Sequence, residues 1–382
     1  MINAHGGKLV DRALTGDALS AAINQAADLP KLVIDKDLAR DVQNIARGVF
    51  SPIEGFIGEE DFRSVIETNR LTNGAAWTIP ILCDVADPVK FGDADEIALV
   101  NEDGDGTPMA ILTLDEVYAW DKAEAAQAVF GTTDTKHPGV AGFEARKDYL
   151  LGGKIDLIDN DRGPYADFNL FPAETRKVFE DRGWKTTVAF QTRNVPHAGH
   201  EDLQKTVLGL CDGLLIHPII GKKKPGDFRD DVILQAYRVL IEKYFPAERV
   251  FLNILPTEMR YAGPKEAIMH AIMRKNYGCT HIIIGRDHAG VGKFYGEEEA
   301  IEIFANFPDL EIQPIMIRGD FWYCKTCARV ASNRTCPHGE DQQIPFSGTM
   351  IRKMVEDGTP PPAEIMRPEV FEVIRQYENP FV

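Results

Sequence analysis

The chain has 382 residues, 44% hydrophobic and 26% charged, a globular composition with room for two or three domains. Its net charge of −17 works against a nucleic-acid or membrane-surface partner, and it repels small anions too unless basic residues are gathered into one site. The longest apolar runs, such as 213–216 and 281–285, are strand-sized and exclude a membrane-spanning helix.

Residues 1–16 carry no apolar stretch of the kind that directs export, so the expected compartment is the cytoplasm. Residues 1–165 show no regular alternation of helix and strand. Short β-like runs at 77–85, 96–100 and 109–114 are separated by Gly/Asp/Pro turns such as 101–108, and one helix is expected near 114–130. This predicts a β-rich first domain with a few helices.

From residue 172 the texture changes. The pattern predicts a helix at 174–182 stopped by Gly183, then strand 186–191, helix 200–210, strand 213–219, helix 230–244 and strand 249–255. Helix 264–277, strand 280–285, helix 296–304 and strand 310–317 follow. Strands joined by helical crossovers run parallel, so residues 166–320 are expected to form an α/β domain with a doubly wound sheet. Ligands of such sheets bind at the carboxyl ends of strands.

The first such end reads Gln191-Thr192-Arg193-Asn194-Val195-Pro196-His197-Ala198-Gly199-His200. Two imidazoles three residues apart share one side of a first helical turn, where free N–H groups and the positive dipole end favour a polyphosphate. Arg193 adds a planar fork for a tetrahedral oxyanion. No G-x-x-x-x-G-K-[ST] phosphate loop is present. A second end reads Gly285-Arg286-Asp287-His288-Ala289-Gly290, where the glycines allow close backbone approach and Arg286 and His288 add positive or donor character. Arg193, Lys222, Lys223, Lys224, Arg260 and Arg286 all fall in strand-end loops and can form a positive basin; residues 222–224 read equally well as a solvated run.

Residues 321–382 form a third, small region. Cys324, Cys327, Cys336 and His338 give three thiols and an imidazole, the ligand set of a closed structural Zn²⁺ site, with a redox C-x-x-C as the rival. Cys83, Cys211 and Cys279 read as small buried hydrophobes. Helices are expected at 347–356 and 368–377, with a Pro-rich turn at 359–362 between them.

The first strand-end segment resembles the Q-T-R-N-P-x-H-x-x-H-E element of ATP sulfurylases, preceded by Arg176, Phe179, Gly183 and Trp184 in the family's lead-in spacing. Residues 285–290 match the family's G-R-D-H-A-G string. Residues 51–56, 217–227, 259–267 and 346–352 resemble four further family elements, in order. One departure is Val195, where the family often has proline directly after the asparagine. The resemblance implies a PUA-like N-terminal domain (1–165), a Rossmann-like nucleotidyltransferase domain (166–320) and a small C-terminal domain with a zinc knuckle (321–382). It implies reversible conversion of ATP and sulfate to adenylyl sulfate and pyrophosphate, with Mg²⁺ accompanying ATP, in a homo-oligomer, a dimer by default. By resemblance, Gln191, Arg193 and the Ala289 N–H hold sulfate. Gln191, Thr192 and Asn194, with Gly285, Arg286, Asp287 and His288, contact ATP, and His197 and His200 steady the departing pyrophosphate. No Ser, Cys or Lys has the partner pattern of a covalent nucleophile, so sulfate is expected to attack the α-phosphorus directly. The competing readings are an H-x-G-H nucleotidyltransferase with another acceptor, against which the 285–290 and 259–264 strings argue, and an RNA-binding module, against which the charge argues.

Overall fold

The computed structural model describes residues 2–91, 94–346 and 348–382. Helices α1 (Gly16–Asp28), α2 (Lys36–Ala46), α3 (Glu59–Thr68), α4 (Lys122–Phe130) and α5 (Pro138–Ala145) surround a six-stranded sheet. Its strands are β1 (Lys31–Ile34), β2 (Gly55–Phe56), β3 (Cys83–Val85), β4 (Glu96–Asn101), β5 (Pro108–Ala119) and β6 (Tyr149–Leu157), in the order β1-β4-β5-β6-β2, with β3 also on β6.

Two expectations fail here for physical reasons. The run 77–85 is strand only over Cys83–Val85; Pro80 cannot donate to a ladder, and Trp77, Ile79 and Ile81 instead bury themselves from irregular backbone. The expected helix near 114–130 begins only at Lys122, because β5 runs on to Ala119 past a register shift at Leu114/Glu116. The Asp121 carboxylate then caps the Ala123 and Glu124 N–H groups.

After α6 (Pro172–Asp181), the parallel sheet comprises β7 (Thr187–Thr192), β8 (Gly213–Ile220), β9 (Val250–Leu252), β10 (Leu255–Pro256), β11 (His281–Ile284) and β12 (Gln313–Met316). The order is β10-β8-β7-β11-β12, with β9 also on β8, and every pairing is parallel. The expected strand 249–255 is thus two pieces. The chain winds outward from β7 in one direction, then returns to lay β11 on its other side, so the topological switch point falls between β7 and β11. Alternate residues face opposite cores: Val188, Phe190 and Ile283 pack on one face, Ala189, Ile282 and Ile284 on the other.

Helices α7 (Ala198–Leu208) and α8 (Asp230–Tyr244) cover the first face. On the other lies α9 (Pro264–Asn276), buried at every position from Glu266 to Asn276. A helix buried all round lies between layers, and α9 is tied to the N-terminal region directly. Asn276 Nδ2 donates to Val49 O and Ser51 O, both at 3.0 Å, and Thr78 Oγ1 donates to Lys265 O at 2.6 Å. The expected helix 296–304 shrinks to α10 (Glu299–Glu302) followed by a 3₁₀ turn, Ile303–Asn306; Phe304 and Phe307 are both buried, and the tighter winding brings residues three apart onto one side.

Three short antiparallel strands, β13 (Phe321–Cys324), β14 (Arg329–Ser332) and β15 (Gln343–Pro345), form a small sheet packed on α7. At four residues or fewer they carry too little periodicity to be foreseen. Helix α11 (Gly348–Glu356) follows, with Ser347 outside the described residues, and α12 (Pro368–Ile374) packs on α8. No described helix is long and apolar enough to cross a membrane.

Candidate active site

Thr192 ends β7 and shapes the turn that follows. Its Oγ1 accepts from the Asn194 N–H at 3.1 Å and donates to Asn194 O at 3.2 Å. Val195, the departure from the family spacing, is buried and anchors the turn to the core. His197 is the N-cap of α7, its Nδ1 accepting from the Gly199 and His200 N–H groups at 3.1 and 3.4 Å. That role fixes the tautomer: with Nδ1 accepting, the neutral ring carries its proton on Nε2. The two imidazoles stack with centroids 3.7 Å apart, and the Phe346 ring lies parallel to His197 at 5.3 Å. Gly199 is tightly enclosed here, since a Cβ would lie 3.0 Å from both the His197 and Phe346 rings. Burial lowers the His200 imidazole to about 4 and, with the His200 charge opposing it, holds His197 well below the usual histidine range. The pair is therefore neutral at pH 7 and brings no positive charge; His197 presents its Nε2–H as a donor, whereas His200 is hydrogen-bonded to the Val195 backbone. His200 Nδ1 and Gln191 Oε1 are buried without a partner among the described residues, a costly state that a polar ligand relieves.

Arg193 leaves the same turn toward the loop after β8. It donates to Tyr261 OH at 3.2 Å and Lys222 O at 2.9 Å, with the Asp227 carboxylate 3.6 Å away. Arg352 from α11 reaches the same place, 3.6 Å from Asp227 and 3.3 Å from Asn194 Oδ1, and the Lys224 ammonium lies over the Tyr261 ring at 4.8 Å. The positive basin is smaller than the sequence suggests. Arg260 is paired with buried Asp41 at 2.8 Å, Lys223 with Asp230 at 2.8 Å, and Arg286 with Asp320 and Glu297 at 2.6 and 3.3 Å. Arg193, Lys222 and Lys224 remain, and Arg352 joins them. Beside this group, a cleft of about 780 Å³ opens between the N-terminal region and loops 222–225 and 258–261, lined in part by Asp41, Lys222, Arg260 and Tyr261.

The turn after β11 starts beside that after β7, because the two strands are hydrogen-bonded neighbours. Asp287 and Ala289 both have left-handed backbone, with φ of 54° and 56°, as has Tyr261 at 58°; such non-glycine residues are uncommon and concentrate where ligands are clamped. A Cβ on Gly290 would lie 1.9 Å from Asp287 Oδ1. At Gly285 a Cβ would meet nothing within 4 Å, so the chain's own packing does not require glycine there. The Gly263 N–H donates to Ala289 O at 3.1 Å, which ties the turn to the loop that carries Tyr261. Among the described residues the Ala289 N–H has no partner. His288 pairs with His270, its Nε2 lying 3.0 Å from His270 Nδ1. The three loops 191–200, 259–263 and 285–290 thus share one end of the sheet, bridged by Tyr261 and Gly263.

Tyr261, Asp227, Arg352 and Phe346 are the site residues that reading residue types in strand-end turns missed. All four stand inside the family-like strings 217–227, 259–267 and 346–352, which was the available signal.

At the small sheet, the ligating atoms of Cys324, Cys327, Cys336 and His338 all lie within 4.8 Å of one another. His338 Nδ1 is 3.5, 3.4 and 3.5 Å from the three sulfurs, and the Cys327 and Cys336 sulfurs are 3.9 Å apart. The edges of a Zn²⁺ tetrahedron with Zn–S near 2.3 Å are about 3.5–3.8 Å, so the four groups fit such an ion. None of the six cysteines is in a disulfide.

A family model described as ATP-sulfurylase matches residues 166–377, and one described as a PUA-like domain matches residues 2–160. The chain is 50% identical over 381 residues to the sulfate adenylyltransferase of Hyperthermus butylicus, covering 99% of this chain and 97% of that one. It is 48% identical over 378 residues to that of Pyrococcus abyssi (99% and 98%) and 45% identical over 379 residues to that of Symbiobacterium thermophilum (98% and 96%). Among solved structures, a hexameric APS kinase from Thiobacillus denitrificans shares the fold with a TM-score of 0.76, over 100% of this chain and 69% of that one, at 22% identity.

Proposed function

The chain belongs to the ATP-sulfurylase family, and from that membership together with the site we infer that it is a sulfate adenylyltransferase, joining sulfate to the α-phosphate of ATP with release of pyrophosphate, reversibly. The observation that carries the reading is the meeting of the 191–200 and 285–290 turns at the switch point, with Arg193 set against the loop that bridges them. A sulfate oxygen forms the new bond to the α-phosphorus while the bond to the bridging oxygen breaks, and pyrophosphate leaves with the electron pair. Arg193, Gln191 and the Ala289 N–H position sulfate. Thr192 and Asn194 orient the phosphates, Gly285 to His288 meet the nucleotide, and the Nε2–H of His197, steadied by the stacked His200 ring, donates to the departing pyrophosphate. Fixed donors aimed at developing charge, and the orientation of two bound anions, supply most of the acceleration. The paired state of Arg286 argues that its backbone contributes more than its guanidinium.

Mg²⁺ accompanies ATP as counter-ion. Cys324, Cys327, Cys336 and His338 hold a structural Zn²⁺, leaving no open position for chemistry; metal analysis after purification without chelators is expected to give about one zinc per chain. We divide the chain into a PUA-like domain (1–165), a nucleotidyltransferase domain (166–320) and a zinc-bearing domain (321–382), working as a homo-oligomer, a dimer by default. Six unbridged cysteines suit a reducing cytoplasm.

The test is sulfate-dependent exchange of pyrophosphate into ATP. Exchange is expected with the wild-type chain and to be abolished in Arg193→Ala, with the circular dichroism spectrum unchanged. Exchange that needs no sulfate, or that survives Arg193→Ala undiminished, removes the reading.

A further inference from the structure

Glu266, in the first turn of α9, is 2% exposed and receives donors from several sides. It accepts the Arg260 N–H at 2.8 Å and the Ala262 N–H at 3.0 Å, and its Oε1 lies 3.4 Å from His270 Nε2. His270, one helical turn on, is 1% exposed, and its other ring nitrogen, Nδ1, lies 3.0 Å from His288 Nε2. A continuous chain therefore runs from the buried carboxylate, through His270, to the turn after β11.

The direction of the protons along it follows from valence. Burial alone would raise the Glu266 carboxyl, but the hydrogen bonds from His270 and the Arg260 N–H, with the charge of the Arg260 guanidinium, pull it below the usual range. An ionised carboxylate only accepts, so His270 carries its proton on Nε2. Burial lowers both imidazoles, that of His288 well below the usual value, so each ring is neutral and has a single N–H. His270 Nδ1 must then accept, His288 must donate from Nε2, and the lone pair of His288 is left on Nδ1, which makes no hydrogen bond among the described residues.

We propose that Glu266 and His270 are positioning residues that fix His288 as a hydrogen-bond acceptor in the nucleotide half of the site, where it reads an N–H or O–H donor of the nucleoside rather than a phosphate oxygen. This rests on the adenylyl-transfer reading above. The donor is either the exocyclic amine of adenine or a ribose hydroxyl.

Two substitutions cut the chain at different links. The amide of glutamine reaches the Nε2 position of the imidazole, and that of asparagine the Nδ1 position. His270→Gln keeps contact with Glu266 and loses His288, whereas His270→Asn keeps His288. Exchange kinetics would be measured with ATP, with the analogue lacking the 6-amino group, and with 2′-deoxy- and 3′-deoxy-ATP. Wild type is expected to disfavour one analogue by about tenfold in kcat/KM, the worth of one neutral hydrogen bond, and the analogue concerned identifies the donor. His270→Gln is expected to lose about tenfold with ATP, to keep the wild-type KM for sulfate and to treat that analogue and ATP alike. His270→Asn should still discriminate. Discrimination that persists in His270→Gln, or its absence from active wild type, overturns the proposal, whereas a wild type without sulfate-dependent exchange fails the functional reading instead. Should neither variant fold, ¹⁵N-histidine spectra of the wild-type protein decide: a proton on His288 Nδ1 overturns the assignment, and one on Nε2 supports it.

Discussion

In the turn after β7, two imidazoles lie face to face at 3.7 Å, held by a helix cap, a phenylalanine and the Val195 backbone, and among the described residues no side chain takes a proton from either. In the turn after β11, an imidazole meets its neighbour edge-on, with centroids 5.2 Å apart, and its N–H is spent inside the protein on a chain that ends at a buried carboxylate. The arginines divide the same way. Arg193 is held by two neutral oxygens, with its nearest carboxylate at 3.6 Å, whereas Arg286 is neutralised by Asp320 at 2.6 Å. Residue type and placement at a strand end do not make a ligand group. What decides is whether the chain has already consumed its donors.

The sharpest way to break this contrast is to remove the two guanidiniums separately. Arg193→Ala is expected to lower kcat/KM by at least about a thousandfold, in the upper range for deleting a preorganised donor, with little change in the unfolding midpoint because the lost bonds are to partly exposed groups. Arg286→Ala should cost only about tenfold. Equal losses, measured in the same exchange assay, would show that a paired arginine can still serve the ligand.

Next in size is a pair of changes at the cap. His197→Ala and His197→Asn both delete the imidazole donor and should each lower turnover by about a hundredfold. Asparagine still caps α7, so only the alanine variant should lose stability, by about 1 kcal/mol. Urea titrations alongside kinetics separate the two roles; equal destabilisation would mean that the cap bond contributes nothing.

The parallel sheet was legible because α7, α8 and α9 are long enough to be parallel crossovers between its strands; α8 falls where periodicity places it, at Asp230–Tyr244. The two anion turns were legible because motif and strand end coincide. What escaped was set by distant partners. The neutralisation of Arg260 depends on Asp41, 219 residues away, and that of Arg286 on Asp320, and neither pairing leaves a local trace. The wiring of His288 to Glu266 needed both the fold of the 285–290 turn and the all-round burial of α9. In the N-terminal region, Pro80 and the extension of β5 decided boundaries that short apolar runs had blurred.

Acid probes what the two turns share, since both keep their histidines neutral by burial. His200, like His5 near the N-terminus, is lowered to about 4 in the folded chain, against about 6.5 when unfolded. Between those values the unfolded state binds more protons, so stability is expected to fall as pH drops from about 6.5 toward 4, by up to roughly 3 kcal/mol for each group. Above pH 7 neither contributes any slope. Urea midpoints followed from pH 7.5 to 4.5 test this, and a flat profile would show that the imidazoles are not held neutral.

The smallest expected effect is at Gly199, where helix propensity and local packing oppose one another. Alanine in the first turn of α7 would gain up to about 1 kcal/mol over glycine from the reduced freedom of the unfolded chain. Its Cβ would, however, come 3.0 Å from His197 Cε1 and from Phe346 Cδ2, and both rings would have to yield by a few tenths of an ångström. The two terms nearly cancel, so Gly199→Ala should shift the unfolding free energy by less than about 1 kcal/mol. Activity is not protected by that cancellation. Spreading the rings tilts the His197 Nε2–H, and a misaligned donor weakens steeply, so turnover is expected to fall severalfold at nearly constant stability. A matching glycine-to-alanine change at Gly285, where a Cβ meets nothing in the chain, has no ring to move. Any loss there must come from the ligand itself and should appear in the KM for ATP while the unfolding midpoint stays put.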